Sequence, residues 1–156
     1  MPPTGEAIAL VREVVIAASP ETIWQFLTDP IKAIRWMGVA ATLDARAGGR
    51  YRIEVLPGDA VLGEFLELDP PRRLVQTWGW EGETGSVPPG STTVAFDLVR
   101  RDDGTLVRVT HTGLSRGVAA DRHARGWDHY LPRLASVAAE GDPGPDPWIE
   151  RPELYP

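Results

Sequence analysis

Few residues in this chain can do acid–base, nucleophilic or metal chemistry, and their spacing narrows the options. The three histidines are His111, His123 and His129. His111 alternates with Val107 and Val109 along a strand-like stretch, so its imidazole is expected to point inward. His123 lies four residues before Trp127, on the inner stripe of a helix. His129 lies about 200° around that helix from Trp127 and is expected to face solvent. His123 and His129, six residues apart, are about 240° apart and cannot share one ion on a regular helix. The chain has no cysteine, no His-x-x-x-His and no clustered carboxylates, so neither a metal site nor a cofactor is expected.

Gly113-Leu114-Ser115-Arg116-Gly117 matches the G-x-S-x-G pattern of a nucleophile elbow. That elbow needs a strand of a mostly parallel sheet, an immediate helix, and an acid and a histidine well downstream. Here the strands read as antiparallel, the helix is expected to begin several residues later, and Asp121 and His123 follow too closely. No catalytic serine is assigned. Glu54, Glu64, Glu67 and Asp97 alternate with apolar neighbours on strands, so most should face solvent. One of them turned inward beside His111 would make a general acid–base pair. Arg50, Arg52, Arg72, Arg73, Arg100 and Arg101 read as a solvated outer face.

Aromatic residues carry the stronger signal. Trp36, Tyr51, Trp78, Trp80, Trp127 and Tyr130 come from four separate segments. Tyr51, Ile53 and Val55 share a strand face, and Trp78 shares one with Leu74 and Trp80. Indole and phenol rings offer a large apolar surface with one polar handle, which suits a cavity for an amphipathic ligand. The ligand-lining set expected on this basis is Trp36, Tyr51, Ile53, Trp78, Trp80, His111, His123, Trp127, Tyr130 and Leu131. The plain alternative is that the same rings simply fill the core, to which Trp24 and Phe26 are assigned.

Position depends on the elements beneath. From about Asp121 to Glu140, Trp127, Tyr130, Leu131, Leu134 and Val137 recur at spacings of three and four, one face of an α-helix. Gly126 inside it is expected to admit close approach to the sheet, and Pro132 to kink it. Ile8 to Ala17 reads as a first strand. Ser19-Pro20 caps a short helix ended by Thr28-Asp29-Pro30, and a second short helix delivers Trp36. Six more strands follow, over 39–45, 50–56, 61–68, 74–80, 92–100 and 106–112, joined by short turns and by a loop at 81–90. This order predicts an α+β helix-grip fold. A curved antiparallel sheet of about seven strands wraps a long carboxy-terminal helix, with two short helices after the first strand. Gly49, Gly63 and Gly79 sit where curvature needs them. Residues 1–140 form the domain. Residues 141–156 form an acidic tail with five of the fifteen prolines and no periodicity, expected to be an extended arm or disordered end.

A formal charge of −6, from 22 acidic and 16 basic residues, argues against a nucleic-acid partner. No apolar run is long enough to span a bilayer, and the amino-terminal stretch lacks a basic region, so membrane insertion and export are not expected. A cytoplasmic location is the default, and a homodimer is an open option.

Several segments resemble the SRPBCC (START-like) superfamily. They include Val14 to Trp24, Leu27-Thr28-Asp29-Pro30, Arg46 to Tyr51, Gly63 to Leu74, Thr77-Trp78, Thr110 to Leu114 and Gly126-Trp127. They look most like the branch related to activators of the heat-shock-protein-90 ATPase, over about residues 8–140. The resemblance implies a helix-grip fold with a cavity and does not imply a reaction. Three functions are weighed. The first is binding of an apolar or aromatic small molecule without chemistry. The second is a polyketide-cyclase- or hydrolase-like enzyme using an inward histidine and carboxylate. The third is a chaperone-associated interaction module.

Overall fold

Burial with a period of two runs through the strands of the computed structural model, which describes residues 7–82 and 87–156. Seven strands form one antiparallel sheet: β1 (Ala7–Ile16), β2 (Ala40–Leu43), β3 (Arg50–Leu56), β4 (Asp59–Asp69), β5 (Arg73–Trp78), β6 (Thr92–Arg101) and β7 (Gly104–Ser115). Their order across the sheet is β1-β7-β6-β5-β4-β3-β2. The meander β2 to β7 therefore runs in sequence, and β1 closes onto the last strand with Leu10 opposite His111. The register shifts in β1–β7, β3–β4 and β4–β5. Such irregularities bend a strand and raise its twist, letting the sheet curve.

The first helix, α1 (Pro20–Thr28), starts where the Ser19 hydroxyl accepts the Thr22 amide at 3.1 Å, with Pro20 in its first turn. Asp29 ends it and caps α2 (Pro30–Ala33) by accepting the Ile31 amide at 2.9 Å. Trp36 follows, buried, its indole N–H donating to the Phe26 carbonyl at 2.9 Å. The long helix α3 (Val118–Ala138) buries Trp127, Tyr130, Leu131, Leu134 and Val137 against the sheet. It packs chiefly on β1, with further contact to β7 and α1. It begins a turn earlier than the stripe predicts, because Ala119 and Ala120 are also buried and Asp121 N–H already bonds Gly117. Helical structure continues through Pro132. Among the described residues no helix is long and apolar enough to cross a membrane.

The tail departs from expectation. Residues 141–146 carry neither helix nor strand, but Pro147–Glu150 forms a helical turn, α4, and Pro152–Leu154 a 3₁₀ turn. Helix α3 stops in a Schellman turn, with Glu140 at φ 65°, Glu140 N–H bonded to the Val137 carbonyl and Gly141 N–H to that of Ser136. That turn sends the chain back along the helix it has just left. The cue was local rather than periodic. Asp146-Pro147 carries a cap and a first-turn proline, and the Asp146 carboxylate accepts the Trp148 amide at 2.9 Å. Residues 83–86 of the expected 81–90 loop, and the first six of the amino-terminal stretch, lie outside the described residues.

Gly63 shows why one curved strand needs glycine. A Cβ there would lie 2.7 Å from the Tyr51 ring and press on the Thr77 carbonyl. We expect Gly63→Ala to destabilise the fold by about 1–3 kcal/mol, as overpacking does. Urea denaturation checks this, and an unchanged midpoint would contradict it.

Candidate functional site

The sheet and α3 are tied together by side chains in which each proton has one assignable place. The Thr92 hydroxyl donates to the Trp78 carbonyl at 2.8 Å, so its oxygen is left to accept from His111 Nε2 at 2.9 Å. His111 Nδ1 in turn accepts the Trp127 indole N–H at 3.2 Å. His111 is thereby a neutral Nε2–H tautomer. Burial, with a smaller contribution from His123, pushes its pKa down to about 3. His123 has the opposite tautomer. Its Nδ1–H donates to the Ala119 carbonyl at 2.8 Å and its Nε2 accepts the Trp80 indole N–H at 3.0 Å. Burial lowers its pKa too, opposed by the Ala119 carbonyl.

Beside these histidines lies a cavity of about 120 Å³. Its aromatic wall is Trp78, Trp80, Trp127, Tyr130 and His123. Trp78 is the hub: its ring centroid is 5.3 Å from that of Trp127, 6.1 Å from Trp80 and 5.5 Å from His111. A second, much smaller void of about 20 Å³ is lined by Trp36, Tyr51 and Ile53, and shares Trp78 and Trp127 with the first. His111 stands behind the wall and lines neither space, and Leu131 packs in the core. Of the ten residues expected from the sequence, five surround the larger cavity. Three surround the smaller one, and two support from behind.

Other lining residues carried no periodic or motif signal. Asp59 and Arg122 put a carboxylate and a guanidinium on the cavity wall, and Tyr155 and Pro156 of the tail face it from the far side. Burial raises the Asp59 pKa, against the pull of the Tyr155 hydroxyl and the Arg122 charge. Gly126 also lines the space, but the expected close approach to the sheet is absent: a Cβ there would meet nothing within 4 Å. The glycine leaves room open instead. Only the gap in the helix stripe, beside Trp127, could have hinted at this.

His129 likewise corrects the sequence reading. Its outward angle on α3 is real, but the returning tail covers it. Its ring stacks on Trp148 at 3.6 Å between centroids and 8° between planes, and its Nε2 lies 2.8 Å from Asp146 Oδ1. Asp146 is itself buried. Burial acts to raise its pKa, but the His129 hydrogen bond, the Trp148 amide and the Arg133 charge outweigh it and hold the value low. Ser115 gains no triad. Its strand belongs to an antiparallel sheet, and His123 spends both nitrogens on Ala119 and Trp80. Four of the outer-face arginines, Arg52, Arg72, Arg73 and Arg100, pair with acids: Arg52 is bidentate to Glu81, and Arg73 Nη1 reaches both Asp97 oxygens. Among the described residues no cluster of three or more metal-ligating side chains occurs.

Four buried polar atoms have no hydrogen-bond partner among the described residues: Trp78 Nε1, Tyr51 Oη, Tyr130 Oη and Asp146 Oδ2. Three of them belong to rings that line the two spaces. Leaving such a group unpaired costs about 1–3 kcal/mol.

The protonation of His111 is directly testable. The unfolded imidazole binds a proton near pH 6.5, whereas the folded one refuses it until about pH 3. Its stabilising contribution is therefore complete above pH 6.5. It is lost as the pH falls from there toward 3, by up to about 1.4 kcal/mol per pH unit. Nitrogen-15 NMR of the folded protein should show His111 as the Nε2–H tautomer from pH 8 down to 4. A midpoint near 6.5 would contradict the assignment.

The family model described as Activator of Hsp90 ATPase homolog 1-like protein matches residues 17–139. An AHSA1-like protein of Rhizobium etli, solved in solution, is 39% identical over 93% of this chain and 90% of its own, with a TM-score of 0.73. CalU16 of Micromonospora echinospora is 29% identical over 98% and 89%, with a TM-score of 0.71. The Aha1 dimer of Colwellia psychrerythraea shares the fold at 21% identity over 86% and 98%, with a TM-score of 0.74. A search of curated proteins finds no match. The family model covers most of the chain and the Rhizobium protein nearly all of it, so this chain belongs to the Activator of Hsp90 ATPase homolog 1-like family.

Proposed function

We propose that this protein binds a small apolar or aromatic molecule between its sheet and α3, by burial rather than by chemistry. The observation that carries the reading is the cavity of about 120 Å³ walled by indoles, with a glycine in its helical wall where a side chain would fit. An apolar cavity of about 150 Å³ accepts benzene, so a ligand of one ring matches the space. The ring faces of Trp78, Trp80 and Trp127 supply its apolar contacts, and Asp59 and Arg122 offer a polar end. Acid–base catalysis on His111 draws no support here. Both its nitrogens are taken, it lines neither space, and no carboxylate is among the groups that act on it.

Gly126 separates cavity from core. Adding a side chain there relieves the roughly 1 kcal/mol that glycine costs a helix, whereas shrinking Trp127 would cost about 3–5 kcal/mol of core packing. Calorimetric titration with toluene should show binding to the parent protein. We expect Gly126→Leu to bind toluene at least tenfold more weakly, with a melting temperature equal or higher. Equal affinity in the two proteins would sink the reading.

The family's name supports a second reading, contact with the Hsp90 chaperone. Ile31, Ile34 and Val39, exposed within one short stretch, offer an apolar surface for it. Under that reading Ile31→Asp should reduce pull-down by Hsp90 several-fold, whether or not toluene is present. An unchanged pull-down removes it.

A further inference from the structure

The tail is built onto the cavity rather than appended to the domain. Beyond the turn at Glu140 the chain runs back along α3 and is fastened at several points. Arg133 donates through Nη2 to the Gly144 carbonyl at 3.1 Å while its Nε reaches the Trp36 carbonyl at 3.2 Å. Asp146 is held by His129, and the Trp148 ring lies flat on that imidazole and edge-on to Tyr130 at 5.6 Å. At the far end Arg122 Nε donates to the Pro156 carbonyl at 2.9 Å. Between the last two points Tyr155 stands edge-on to both Trp148, at 5.6 Å, and Trp80, at 6.3 Å, with its ring on the cavity.

We propose that residues 146–156 form a strap that is the outer wall of the cavity and sets the size of the ligand, admitting one ring while latched through His129–Asp146. This inference rests on the ligand-binding reading above. Sheet and helix alone leave the space open on the side that Tyr155 and Pro156 occupy, so a larger ring system enters only if the strap lifts. Two of the unpartnered polar atoms, Tyr130 Oη and Asp146 Oδ2, belong to residues at the contact between strap and helix. Closure thus leaves hydrogen-bonding capacity unspent there, which lifting would restore to water. A wall made of two short turns, stitched by side chains and with no strand pairing to the sheet, is drawn from the low-stability end of a fold.

The test uses the full chain and Asp146→Ala, with two readouts. Amide hydrogen exchange over 148–155 should quicken at least tenfold in the variant, while α3 and the strands keep their protection. Pyrene, a four-ring probe followed by its own fluorescence, should bind the variant at least tenfold more tightly than the parent, and toluene should bind both. Unchanged exchange would overturn the latch, whatever binds. Faster exchange with the same pyrene-to-toluene preference would overturn the strap as a size filter and leave the ligand-binding reading standing. Faster exchange with neither probe bound to either protein would remove that reading and the filter with it.

Discussion

The grip of the sheet on α3 turns on the hydrogen bond between the Trp127 indole and His111, because it joins the long helix to β7, one strand in from the sheet edge. Around it every proton is constrained. Thr92 must donate to the Trp78 carbonyl, so His111 must donate to Thr92, and only its second nitrogen remains for Trp127. Protonating that nitrogen would oppose two N–H groups and break the joint. Burial guards against it by making the charged imidazole expensive. The histidine that the sequence offers as an inward, cavity-lining residue has both ring nitrogens engaged by Thr92 and Trp127.

Both inward histidines have their ring nitrogens committed, so the ligand-binding reading rests on shape. Trp78 sits between two spaces and meets Tyr51, Trp80, His123 and Trp127, rings that frame them, while Gly126 withholds a side chain from the wall. The polar atoms around these spaces are short of partners, not rich in acid–base pairs. Under the ligand-binding reading, such a site selects by fit and by an occasional hydrogen bond.

Much of this was legible in the sequence. Alternation, turn residues and caps place all seven strands and both short helices near their observed bounds, because each signal is local. The inner stripe of α3 was equally plain. The outer side was not. His129 has the right angle for solvent, but angle cannot report that a later segment returns to cover it. Tail residues Trp148 and Tyr155 have no period and act singly, each against a partner far away in sequence, so only the Asp146-Pro147 cap betrayed local order. Asp59 and Arg122 were invisible for the same reason. Nothing in their neighbourhoods distinguishes a cavity wall from a surface. Gly126 stands out in the sequence but its cause does not, since a helical glycine can admit either a close neighbour or, as here, an empty space.

One feature of the sheet bears on how the molecule behaves in a crowd. Among the described strands, β1 is a long edge of ten residues, whereas β2 at the other edge has four. Val11 and Val15 stand exposed along β1, and an apolar edge with free backbone groups is a template for self-association. Between them sit Arg12 and Glu13, paired to Asp128 and Arg108. Charges in that position act as gatekeepers against edge-to-edge growth. Arg12 therefore ties the edge strand to α3 from a position between the two exposed valines, so its loss would loosen the grip at the very edge that invites pairing.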